Sequence, residues 1–387
     1  MGVEVRVSGG LTPSASRPSL PPSSIWGPSR LGYIDGLRAS AAILVLMRHY
    51  YMGTYTPEYP RWADSFGLGY IGVHLFLLLS GFCVAWAYVG ARQQPFVARE
   101  YIRRRATRIL PAYYVALAIS LLLAPAAMDW SYARLLLVHV TMLHNLSTDT
   151  VMAINGVFWS LALECQLYLT FPIFLWASRR RRLVSALALA LGIQLAYRVV
   201  VAMLWGTDYN DATMVLPWSV VGRMFEFGLG VWAAQVIALG GPARWRWARA
   251  LPLFAVVSFA GAILAKRTLG VSSPVTDLCF TVGFAALLLQ ASRAGTWTRR
   301  MLECRPLVFV GAFSYSLYLV HGFVLHWLCP AIAALPLSAT VRIAMFVPAS
   351  IAAIAVSYGF YRAVEKPAMN YFGRKRSVRD RDLARGV

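Results

Sequence analysis

Charged side chains are scarce in this chain, at 14% of 387 residues, against about 25% in an ordinary soluble domain. Acidic ones are scarcest: 16 Asp and Glu stand against 37 Lys and Arg, a formal net charge of +21. Apolar residues make up 58% and the mean hydropathy is +0.57, which excludes a disordered chain, a fibre and a coiled coil. Only five cysteines occur, with no CxxC and no His/Cys cluster at zinc spacing. Neither a disulfide scaffold nor a metal site is therefore expected. Cys83, Cys165, Cys279 and Cys329 sit in apolar runs and Cys304 in a short basic loop, as incidental thiols. The first 32 residues are rich in Pro and Ser and lack the apolar core of a signal peptide. They read as a disordered tail, leaving the first spanning helix to direct insertion. No internal repeat and no appended soluble domain is apparent.

What is abundant is long apolar sequence. Crossing the hydrocarbon core takes ~20 mostly apolar residues, and ten such runs occur: 34–52, 67–89, 109–127, 157–177, 183–205, 214–239, 250–266, 274–292, 307–329 and 340–362. The segment 131–146 is apolar but short, carries His139 and His144, and reads as an interfacial or re-entrant piece of an external loop. An even number of crossings puts both termini on one side. With the N-terminus inside, 28 of the 37 cations fall on the cytoplasmic side and four (Arg61, Arg134, Lys266, Arg267) outside, with five (Arg38, Arg48, Arg198, Arg223, Arg342) within the spans. That split is the positive-inside rule, and it disposes of nucleic acid as a partner, because the charge is spread over loops rather than gathered on one face. The expected architecture is an all-α, polytopic helical bundle of about ten transmembrane helices in the cell membrane, both termini cytoplasmic. Residues 1–32 and 369–387 would be tails flanking one transmembrane domain at 33–368.

Chemistry must then reside inside the bundle or at its mouths, where ionisable groups are costly and mark function. Arg38 and His49 lie eleven residues apart in the first run. At 100° per residue they share one helix face, ~16 Å apart along the axis. Such a pair suits an anionic cofactor at one end and an activated nucleophile at the other; Arg38 snorkelling to headgroups while His49 caps the outer end suits it as well. Arg105 and Arg108, one turn apart beside a span, fit guanidinium forks around phosphate or a plain stop-transfer cluster on lipid headgroups. In Trp159-Ser160-Leu161-Ala162-Leu163-Glu164 a carboxylate stands in an apolar run and needs a partner, with Arg38 or His49 as the candidates. Arg223 and Glu226, at i and i+3, read as a structural pair. His74 reads equally as a hydrogen-bonded core histidine or a reactive one, and Ser80-Gly81 as a site of close helix approach. Ser314 to His321 forms a polar stripe containing Tyr318, and Glu365-Lys366-Pro367 closes the last run.

Taken in order, Tyr33 to Arg38 through His49, Gly72 to Phe82, Arg104 to Tyr114, Trp159 to Pro172, Phe313 to His321 and Glu365 to Pro367 resemble the acyltransferase-3 family of integral-membrane acyltransferases. The resemblance covers nearly all of 33–368. It implies transfer of an acyl group from cytoplasmic acyl-CoA, such as acetyl-CoA or propionyl-CoA, to a hydroxyl of a sugar, a lipid-linked glycan or a small molecule. It implies His49 as catalytic base or transient acyl carrier, paired with Arg38, with Arg105 and Arg108 used for the donor. Glu164, Trp159, Ser160, Tyr318 and His321 would orient His49 or the acceptor. The chain departs from the family in having Glu164-Cys165 where Glu-Glu is common, and His74 where an acidic residue is common. A bare chain of this composition is also similar to the macrolide acyltransferases of antibiotic pathways. The competing readings are a polytopic transporter or exporter, whose usual inverted repeats are not seen, and acetylation of a cell-envelope glycan.

Overall fold

The computed structural model describes residues 31–89, 95–123, 130–205, 215–269 and 274–372. Of the tails expected at 1–32 and 369–387, residues 1–30 and 373–387 lie outside the described residues, as does the 124–127 end of the third apolar run. Among those described the chain is helical, with no strand. The long helices are α1 (Gly32–Thr54), α2 (Ile71–Val89), α3 (Ala98–Leu123), α5 (Trp159–Arg179), α6 (Leu183–Trp205), α7 (Val220–Ala238), α8 (Leu251–Leu269) and α9 (Pro274–Ser292). Between α3 and α5 lies the short α4 (Trp130–Val140). Beyond α9 come α10 (Arg305–Gly311), α11 (Ser314–Ala333), α12 (Ala339–Ala344) and α13 (Phe346–Phe360).

Nine helical segments among the described residues are long and apolar enough to cross a membrane. The expected tenth, α1, has the length but is diluted by Asp35, Arg38, Arg48 and His49. It packs against α2, α10 and α11, so its polar groups face protein rather than lipid. The outer segments 246–268 and 339–372 bury only 22% and 17% of their apolar windows. Their other faces are the ones left for lipid, which explains why sequences apolar all round are stable here.

Two local devices position the interior. The first is the α2–α7 contact. A methyl group at Gly81 would collide with the Phe227 carbonyl, and one at Gly230 with the Leu78 carbonyl. Two backbones meet there because each helix offers glycine where the other presents a carbonyl, the small-residue packing of membrane helices. The second device breaks the apolar run 307–329, which is not one helix. Phe313 takes φ −125°, ψ 25° between α10 and α11, and Gly311 lets α10 press against the Asp35 carbonyl of α1. The break frees α11 to start anew at Ser314, beside α1. The last run contains a π-helical turn, Tyr361–Glu365, a distortion often found at functional sites.

Candidate active site

The two ends of α1 open into different cavities. Arg38 lines a small inner cavity of about 60 Å³, together with Arg105 and Arg108 of α3 and Ser80, Ser160, Glu164, Tyr168 and Tyr318. His49 lines a cleft of about 790 Å³, bordered by Trp159, Trp218, His326 and Trp327. The eleven-residue spacing thus sets both side chains inside the bundle, and neither is turned out to lipid. Tyr318 of α11 and Val73 of α2 line both spaces, so they form the partition between them. The Tyr318 hydroxyl is hydrogen-bonded to Ser160 Oγ at 2.5 Å, and Phe76 packs edge-on against its ring.

In the inner cavity Arg38, Arg105 and Arg108 have no carboxylate within ion-pair distance among the described residues. Arg105 lies over the ring of Tyr168, 5.7 Å from its centroid, and its Nε has no hydrogen-bond partner. Glu164 does not take up this charge. Its Oε1 accepts from Ser80 Oγ and Tyr168 Oη, both at 2.6 Å. The expectation that Arg38 or His49 would pair with Glu164 is therefore corrected. His49 lies in the other space, and two hydroxyls satisfy the carboxylate where it sits. Glu365, buried at the end of the π-helical turn, accepts from Ser316 Oγ at 2.5 Å, tying that turn to α11. Three guanidinium groups gathered without an ion pair in an intramembrane cavity make a site for an anion.

On the other side of the partition, His49 Nδ1 lies 2.9 Å from His321 Nε2. His321 Nδ1 lies 3.0 Å from the Leu317 carbonyl, one turn back on α11. These contacts fix the tautomers. A carbonyl only accepts, so His321 carries its proton on Nδ1 and, as a neutral ring, accepts at Nε2. His49 then donates from Nδ1, which leaves its own Nε2 with a lone pair. A histidine held in one tautomer by a second histidine is arranged to act as a base. Trp159 stacks on Trp218 with centroids 4.1 Å apart, an apolar platform along the same cleft.

The cleft also reaches a cluster that the sequence only hinted at. His74 is a buried, hydrogen-bonded core histidine, 3.5 Å from Glu226 Oε1 and 3.4 Å from Asp277 Oδ1. Arg223 pairs with Glu226 at 3.1 Å as expected from their spacing, and also with Asp277 at 3.1 Å. Arg198 meets Asp277 at 2.7 Å. Arg198 and Asp277 went unassigned in the sequence, although ionisable residues inside apolar runs were the available signal. Tyr168, Ser80 and Trp218 carry no such signal, because hydroxyls and indoles are common in spans. His139 and His144, outside the spanning helices, are fully buried and stack at 4.2 Å. Burial pushes the His144 imidazole down to about 4, which fits a packing role for this pair. Among the described residues no group of three His, Cys, Asp or Glu side chains could hold a metal ion.

A helical bundle crossing the membrane many times, with a polar site inside it, defines a multi-pass membrane protein. Residues 31–362 match the acyltransferase domain family, and the chain belongs to that family of membrane acyltransferases. It is 27% identical over 395 residues to acyltransferase MdmB of Streptomyces mycarofaciens, covering 90% of this chain and 94% of that protein. It is 23% identical to peptidoglycan O-acetyltransferase OatA of Listeria monocytogenes, covering 74% of this chain and 48% of that one. Against O-acetyltransferase OatA of Staphylococcus aureus the identity is also 23%, covering 77% and 51%. The chain spans about half the length of these OatA relatives. Acyl transfer to oxygen is the reaction class these similarities support.

Proposed function

We propose that the protein moves an acyl group from acyl-CoA to a hydroxyl of a small molecule or sugar, across the Tyr318 partition. One observation carries this reading: arginines with no ion pair among the described residues occupy one side of the Tyr318–Val73 wall, and a tautomer-fixed histidine the other. The inner cavity suits the phosphates of acetyl-CoA or propionyl-CoA, with Arg105 and Arg108 as forks and Arg38 beside them. The cation-rich face on which these arginines stand is the cytoplasmic one by the charge split, where such donors are found. The pantetheine arm then extends toward Tyr318 and presents the thioester to the cleft.

His49 Nε2 takes the proton of the acceptor hydroxyl as its oxygen attacks the thioester carbonyl. The carbon–sulfur bond breaks as the tetrahedral intermediate collapses, and the imidazolium returns its proton to the departing thiolate. Ester and free thiol leave, and His49 is neutral again. A base so placed contributes roughly 10²–10⁴-fold in rate. His321 is a positioning residue that holds His49 in the reactive tautomer. Glu164 keeps Ser80 and Tyr168 in place beneath the arginines. The wide aromatic cleft with its Trp159–Trp218 platform suits a bulky hydroxylated acceptor, such as the macrolides of the subgroup the sequence resembles. A cell-envelope glycan, by likeness to the OatA proteins, is the second acceptor class.

The test is to incubate the purified protein with radiolabelled acetyl-CoA and a panel of hydroxylated acceptors, and to follow the label by mass spectrometry and chromatography. Labelled ester is the expected product. Unmodified solute crossing sealed vesicles, with no ester formed, would establish a transporter instead.

A further inference from the structure

The cleft that holds His49 contains cations the proposed chemistry does not use. Arg48 and Lys266 both line it and converge on one tyrosine ring. The Arg48 guanidinium carbon is 5.6 Å from the Tyr70 centroid and the Lys266 ammonium 4.3 Å. The two charges are therefore within ~10 Å of each other, about the Debye length at 0.1 M salt. Arg48 is fixed in place by the bond from its Nη1 to the Gly67 carbonyl at 2.8 Å. Neither cation has a carboxylate within ion-pair distance among the described residues. Asp277 is the one carboxylate among the described residues lining the cleft, and it is already held by Arg198 at 2.7 Å and Arg223 at 3.1 Å. The cleft thus carries a surplus of positive charge in a medium where like charges repel strongly. Its placement separates it from the donor arginines, because Arg38 and Arg105 lie beyond Tyr318.

We propose that Arg48 and Lys266 form an oxyanion subsite in the His49 cleft, which takes a phosphate or carboxylate group borne by the molecule that docks there. This rests on the reading of the cleft as the acceptor side. Arg48 immediately precedes His49, so an oxyanion held there anchors the acceptor next to the base. The Tyr70 ring sets the spacing of the two cations through its electron-rich face. The same chemistry is offered by an anionic lipid headgroup, and the experiment separates the two sources.

The full-length His49→Ala protein, which binds without turnover, is placed in phosphatidylcholine nanodiscs and titrated calorimetrically with glucose 1-phosphate and with methyl α-glucoside. The phosphate is expected to bind at least ~10-fold tighter, the scale of one charge-assisted contact. Lys266→Gln in that background should remove the preference and Lys266→Arg should keep it, while Arg105→Gln, in the donor cavity, should leave it unchanged. Repeating the titration in nanodiscs containing phosphatidylglycerol assigns the source. Undiminished phosphate binding identifies the acceptor as the bearer of the oxyanion, and competition identifies the lipid headgroup; either supports the subsite. Equal binding of the two sugars, a preference that survives Lys266→Gln, or one that vanishes only with Arg105→Gln would overturn it. A preference found in the His49→Ala protein when the wild-type protein forms no ester with any acceptor would leave the subsite standing and remove the enzymatic reading.

Discussion

The His49–His321 contact makes a demanding prediction, because His321 acts only through its neighbour. Replacing His321 by Leu removes the acceptor at 2.9 Å from His49 Nδ1 while roughly preserving volume. The proton on Nδ1 then has no partner on α11, and the ring loses the contact from that helix which favours the tautomer exposing Nε2. Losing the partner of a buried polar group costs about 1–3 kcal/mol. If that stabilisation serves the transition state, kcat falls roughly 5- to 150-fold. The acyl-CoA KM should stay within about twofold, since the arginines lie on the far side of Tyr318. His321→Gln offers a carbonyl oxygen near the place of the lost Nε2, so it should recover much of the rate. The assay is steady-state ester formation by purified protein, with intact folding checked by size-exclusion chromatography. A His321→Leu enzyme with wild-type kcat, or equal loss in the Leu and Gln variants, would refute the argument.

Other expectations follow from neighbouring groups. Arg105→Gln should raise the acyl-CoA KM by about tenfold, the scale of one hydrogen bond to a charged group, with acceptor KM unchanged in the same rate assay. Tyr318→Ala should merge the two cavities and raise the rate with longer-chain acyl-CoA relative to acetyl-CoA, measured by a competition of donors; an unaltered donor preference would show that Tyr318 is no partition. Gly81→Ala forces a methyl group into the Phe227 carbonyl, so it should cost about 1–3 kcal/mol, read as a lower detergent melting temperature. An unchanged melting temperature would mean that α2 and α7 do not meet as described.

Much of the architecture was legible in the sequence because lipid imposes a simple rule: about twenty apolar residues for each crossing. Nine segments among the described residues obey it, whereas α1 meets only the length, its apolar stretch interrupted by the charges proposed to carry the chemistry. The break at Phe313 was not legible, since an uninterrupted apolar run hides a change of backbone direction that Gly311 permits by close contact with α1. The placement of Arg38 and His49 on one face of α1 follows from helical geometry alone. Their division between two cavities does not, because the dividing residues, Val73 and Tyr318, come from other helices, Tyr318 from far away in the chain. Glu164 shows the same limit. A buried carboxylate demands partners, but composition cannot say whether these are a distant cation or two hydroxyls. The fixed tautomer of His321 depends on a backbone carbonyl, which has no letter in the sequence.

The central claim is that His49 Nε2 removes the acceptor proton. It is tested most directly by His49→Ala protein reconstituted in liposomes, supplied with labelled acetyl-CoA and an acceptor that the wild-type protein esterifies. Ester formation should drop by at least ~10²-fold, with the variant inserted normally and still binding the donor. Ester formation at the wild-type rate would contradict the account.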